Sequence, residues 1–183
     1  RLSLVGSEMC IRDRVGVARL LWLLVLLSAT ASAGWQESLP HARLLGSGEF
    51  SWFGFKVYTA RLWGTTLPLT ADSPFALELT YRRTISRGDL VQSSLDEIQR
   101  LSGSAVSPAQ LKDWQAQMQR AFVDVEPGQR ITGVFLPGRG VQFFVDQRLQ
   151  YRVEDEAFAR AFFAIWLDPR TRNPQLRAQL LGQ

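Results

Sequence analysis

The side chains able to do chemistry in this sequence are few and unevenly placed. Tyr58, Arg61, Tyr81 and Arg83 carry phenols and guanidiniums within, or at the ends of, runs that are otherwise apolar, and Trp52 and Phe53 lie just upstream. A guanidinium and a phenol closing an apolar stripe suit one task in particular. They can hold a carboxylate by charge-assisted hydrogen bonds while apolar walls take the rest of the ligand. These six residues are therefore the candidate ligand-binding set, although Arg83 also reads as a strand-end side chain snorkelling into solvent. His41 is the single histidine and Cys10 the single cysteine, so neither a metal cluster nor a nucleophile–histidine pair has its second member. No catalytic residue, metal or cofactor is expected. Gly46-x-Gly48 is not a dinucleotide loop, because Ser51 stands where a third glycine belongs and the following sequence is strand-like.

The elements that must position these groups follow from periodicity. Arg43 to Trp63, RLLGSGEFSWFGFKVYTARLW, is dense in aromatic and β-branched residues and predicts two strands joined through Gly54. In the second strand Lys56, Tyr58, Ala60 and Leu62 share one face, with Phe55, Val57, Thr59, Arg61 and Trp63 on the other. Both faces are mostly apolar, which predicts a strand covered on both sides and a hairpin central to the sheet. Phe75 to Arg83 alternates cleanly, placing Phe75, Leu77, Leu79, Tyr81 and Arg83 on one face. Ser86-x-x-Asp89 and Ser107-Pro108 each open a helix. Two strands about Pro137-Gly138-Arg139-Gly140 and a short extended piece from Leu149 to Val153 come next. The acidic run Glu154 to Glu156 opens a third helix, with Phe158, Ala161, Phe162, Ile165 and Trp166 inward. Asn173-Pro174 opens a fourth. Strands and helices segregated in this way predict an α+β fold, an antiparallel sheet with helices packed on one face.

The amino-terminal part reads differently. Residues 1–14, RLSLVGSEMCIRDR, resemble a translated read-through fused upstream of the gene. Residues 15–33 have the pattern of a signal peptide, with a basic start, the apolar core LLWLLVLL, and Ala31-Ser32-Ala33 as a small-x-small cleavage site. The apolar core is shorter than the ~18–20 residues a spanning helix needs. A single domain of residues 34–183, periplasmic or secreted and without a membrane span after cleavage, is the expectation. Residues 1–33 hold four arginines and two acids, so their removal lowers the formal charge from +4 to +2. Only Arg82-Arg83 remains as a basic pair, too little for a nucleic-acid surface.

Four blocks carry a resemblance to the chalcone isomerase-like family: LLGSGEFSWFGFKVYTARLW, ALELTYRRTISRGDL, FVDVEPGQRITGVFLPGRGVQFFVDQRL and FARAFFAIWLDPRTRNPQLRAQLLG. The resemblance implies an open-faced β-sandwich, in which a large sheet curls over a layer of helices with an apolar cleft between. In relatives that cyclise chalcones, the strand after the Gly-x-Gly turn supplies an arginine. Phe50 stands there in this chain. Those enzymes also place a tyrosine near the start of the helix after the Arg-rich strand, where this chain has Leu90. Losing the cationic and phenolic groups together removes the electrostatic and acid–base help that cyclisation needs. The expectation is a non-catalytic binder of a fatty acid or other small apolar or amphipathic ligand. An intramolecular lyase or isomerase acting on an enone, and a structural or partner-binding envelope protein, stay open as alternatives.

Overall fold

Six runs of two-residue periodicity become six strands in the computed structural model, which describes residues 34–183. They are β1 (Arg43–Trp52), β2 (Phe55–Gly64), β3 (Phe75–Tyr81), β4 (Arg130–Leu136), β5 (Gly140–Val145) and β6 (Arg148–Val153). Each pairs antiparallel with the next, so the sheet order is the chain order. Four helices complete the unit: α1 (Arg87–Ser102), α2 (Pro108–Ala121), α3 (Glu156–Leu167) and α4 (Pro174–Leu180). The α+β architecture, with helices on one face of an antiparallel sheet, is as the sequence indicates. The readings of residues 1–14 and 15–33 lie outside the described residues.

The helix starts are set by side-chain caps. Ser86 accepts from the Asp89 amide, Ser107 forms a reciprocal capping box with Gln110, and Asn173 accepts from the Leu176 amide. Asp155 caps α3 and also accepts from the Trp114 indole at 2.8 Å, which ties α2 to the start of α3. The main core lies between the helix layer and one sheet face. There Leu62, Leu77, Phe143, Ile98, Met118 and Phe158 are buried.

Two expectations about the first hairpin are corrected. It forms one edge of the sheet, not its centre, because in a meander the first strand pairs on one side only. Nor is β2 covered on both faces throughout: Phe55 and Lys56 are exposed, and full burial begins at Ala60. The opposite sheet face is partly covered by the 3-10 turn Trp35–Ser38. Trp35 packs there against Trp63, Ala76 and Phe144. The segment before His41 thus supplies a fully buried tryptophan.

Gly46 and Gly48 have a packing reason. A Cβ at Gly46 would collide with the carbonyls of Gln179 and Leu180, and one at Gly48 with the side chains of Gln179 and Leu176. The two glycines form the seat on which α4 lies against β1.

Candidate functional site

Between the sheet and the helix layer lies a cleft of about 770 Å³. Its floor comes from β2, β3 and β4, through Tyr58, Leu79, Tyr81 and Ile131. Leu90 of α1 and Phe162, Ile165 and Trp166 of α3 form its walls. Apolar groups at these positions follow from the strand alternation and helix stripes, but the space between them does not. The cleft lies toward the β1–β2 end of the sheet, where Phe50, Ser51, Trp52 and Val57 border it and the first residues of β2 are exposed.

Two phenols sit in this floor. Tyr58 accepts a hydrogen bond from the Trp166 indole at 3.0 Å, bridging β2 and α3 across the cleft. Its ring stacks on Phe50 with centroids 5.0 Å apart and meets Tyr81 edge-on at 6.0 Å. Burial pushes the Tyr58 phenol up to about 12, and the Trp166 bond works in the opposite direction. Burial pushes Tyr81 well up too, with the neighbouring Tyr58 adding to it. Both phenols are therefore neutral at ordinary pH. They are hydrogen-bonding groups in an apolar floor, not ready proton acceptors.

The rim carries the charge. Arg83 follows β3 directly, is exposed, borders the cleft and makes no ion pair among the described residues. Arg172, also at the rim, is held by Glu97 at 2.6 Å, and Asp89 is engaged by Ser86 in the cap of α1.

Of the six sequence candidates, Trp52, Tyr58, Tyr81 and Arg83 border the cleft. Phe53 does not. It sits at the hairpin tip, 84% exposed, beyond the end of the paired strands. Arg61 does not either: it lies on the face away from the helices, 3.2 Å from the buried carboxylate of Glu78, its cross-strand neighbour. Arg130 approaches the same carboxylate at 3.9 Å, so Arg61 is one of two cations serving Glu78. Val57 reaches the cleft beside Tyr58 despite strict alternation, because a bulge between Phe50 and Ser51 opposes both to a shorter stretch of β1. Sequence reasoning gave Trp166 only a core role. An indole N–H in an otherwise apolar stripe signals a partner, and here that partner is Tyr58.

Phe50 and Leu90, where the resemblance expects catalytic groups, both border the cleft as apolar side chains. Among the described residues no cluster of three or more potential metal ligands forms, and no helix is long and apolar enough to cross a membrane.

Comparison with known proteins bears on this geometry. Residues 40–182 match the sequence model of a family described as chalcone isomerase-like. An uncharacterized protein of Haemophilus influenzae is 28% identical over 162 residues, spanning 88% of this chain and 75% of that protein. A crystal structure of a fatty-acid binding protein of Arabidopsis thaliana superposes with a TM-score of 0.59 at 13% identity, covering 77% of this chain and 87% of that one. At that identity the likeness is one of fold.

Proposed function

Starting from the premise that this chain belongs to the chalcone isomerase-like family, we propose that it is a non-catalytic binder of an amphipathic carboxylate, with a fatty acid as the model ligand. The observation that carries the reading is the cleft itself, with apolar walls, two neutral phenols in the floor and, at the rim, an Arg83 that makes no ion pair among the described residues. In this reading the alkyl chain lies against Leu79, Ile131 and Phe162 and the carboxylate is directed to Arg83, all of which line the same cleft, with Tyr58 and Tyr81 as secondary polar contacts. A fatty-acid binding protein among the structures of the same fold supports the reading. Cyclisation of a chalcone is not part of it, because Phe50 and Leu90 supply neither a cation nor a phenol. Export to the envelope, inferred from residues 15–33, belongs to the same proposal.

The test is a titration of dodecanoate into the parent protein and into Arg83→Leu. A charge-assisted hydrogen bond contributes about 1.5–3 kcal/mol when desolvated, and the exposure of Arg83 favours the lower end. The substitution should therefore weaken carboxylate binding about tenfold while leaving the matching alcohol unaffected. Equal dodecanoate affinity in both proteins removes Arg83 from the account. Measurable turnover of a chalcone by the parent removes the non-catalytic half.

A further inference from the structure

The β1–β2 hairpin ends in a feature that packing does not explain. Trp52, Phe53 and Phe55 are 55%, 84% and 68% exposed, and they sit together on a two-residue turn. Both turn residues are left-handed, Phe53 at φ 47° and Gly54 at φ 79°. That turn shape favours Asn-Gly or Asp-Gly, and a bulky residue at its first position is strained. Phe53 therefore occupies a costly backbone conformation while remaining largely exposed to water. Strain and apolar exposure combined at one residue point to a function for that residue.

Two neighbours narrow what that function is. Trp52 packs edge-on against Phe53 at 5.0 Å and also borders the cleft, so the apolar tip continues into the cleft rim. Next to the hairpin, the end of β3 presents Arg82 and Arg83, and the Arg82 amide donates to the Val57 carbonyl of β2. Both side chains are exposed and make no ion pair among the described residues, and Arg82 donates to the Thr59 hydroxyl. Aromatic side chains projecting beside these cations match the interface of a bilayer with anionic headgroups, where rings settle at headgroup depth and guanidiniums meet phosphates. A stable protein interface needs about 800 Å² from each partner, far more than a two-residue turn presents. Fluid lipid needs no complementary surface.

We propose that the Trp52–Phe55 tip is a membrane-docking element that seats the rim of the cleft on an anionic lipid surface. The cleft then opens where an amphipathic ligand leaves or enters the bilayer. That second step rests on the ligand-binding reading, whereas docking itself does not.

The test uses residues 34–183, a unit whose core is built from its own residues. The protein is sedimented with vesicles of phosphatidylglycerol and phosphatidylethanolamine, and separately with phosphatidylcholine vesicles. The parent should partition onto the anionic vesicles, and more weakly onto phosphatidylcholine. Phe53→Gly should lower that partition about tenfold, and Phe53→Gly with Phe55→Ser should lower it further. Phe53→Gly relieves the strained backbone, so its melting temperature should match or exceed the parent's, which separates lost docking from lost folding. Neither residue borders the cleft, so dodecanoate affinity measured without vesicles should not change. The proposal is overturned if the parent stays in the supernatant with both vesicle types, or if Phe53→Gly binds as the parent does. It is overturned equally by Phe53-dependent self-association in the absence of lipid, which would make the tip a protein contact. Because no cleft ligand is needed for sedimentation, a negative result leaves the ligand-binding reading standing.

Discussion

Replacing Trp166 tests whether the sheet and the helix layer are tied across the cleft. Trp166 is 8% exposed, packs edge-on against Phe162 with centroids 5.3 Å apart, and donates to the Tyr58 hydroxyl at 3.0 Å. Trp166→Ala removes the ring, and such changes at buried aromatics cost about 3–5 kcal/mol. The lower end applies here, because one side of the ring borders the open cleft and no closed void is left behind. Trp166→Phe keeps most of the ring and loses only the donor, a net hydrogen bond of about 1 kcal/mol. Tyr58→Phe removes the acceptor. In a double-mutant cycle the two changes should therefore couple by about 0.5–1.5 kcal/mol, with Trp166→Phe costing little once Tyr58 is phenylalanine. Urea unfolding of the four proteins, followed by circular dichroism at a shared slope, gives the coupling from the midpoints. A coupling within error of zero refutes the bridge. A Trp166→Ala midpoint equal to the parent's refutes the inward placement of this face of α3.

Two further expectations concern pH and packing. Tyr58 moves from an ordinary 10.0 to about 12 on folding. Below pH 10 the phenol is protonated in both states, and from there to about pH 12 only the unfolded chain releases its proton, so stability falls as pH rises, by up to about 3 kcal/mol. Tyr58→Phe should show a shallower decline of its urea midpoint over that window, and an identical decline contradicts the burial of the phenol. Gly46→Ala pushes a methyl into the carbonyls of Gln179 and Leu180 and should cost about 1–3 kcal/mol. An unchanged melting temperature would show that α4 does not rest on that glycine.

Much of the fold was legible because local rules and tertiary structure agree here. Ser86, Ser107 and Asn173 cap the helices that their spacing predicts, and the Phe75–Tyr81 alternation survives as β3 with its apolar face on the core. The errors arose where local sequence carries no information about neighbours. Apolar residues on both faces of Phe55–Trp63 read as a central strand, yet part of that apolarity lies at an exposed hairpin end. Trp35, surrounded by polar residues, shows no period at all and becomes core only because a 3-10 turn lays it on the sheet. Among the site candidates, Tyr58, Tyr81 and Arg83 stand out in the sequence as polar groups on apolar stripes, and in the structure they border the cleft. Whether Arg61, on the strand face opposite Tyr58, meets the cleft was not legible, because its partner Glu78 sits on another strand and pairing register is not visible in either strand alone. The cleft wall from α1 and α3 was equally hidden, since a helix stripe looks the same whether it meets side chains or a ligand.

The central claim is that the space between sheet and helices takes an alkyl chain whose carboxylate is held at the rim. Calorimetric titration with saturated carboxylates, from octanoate upward, tests it most directly. Each buried methylene contributes about 0.8 kcal/mol, so affinity should climb about fourfold per methylene and level off once the cleft of about 770 Å³ is filled. Affinity independent of chain length, or no binding at any length, would contradict the claim.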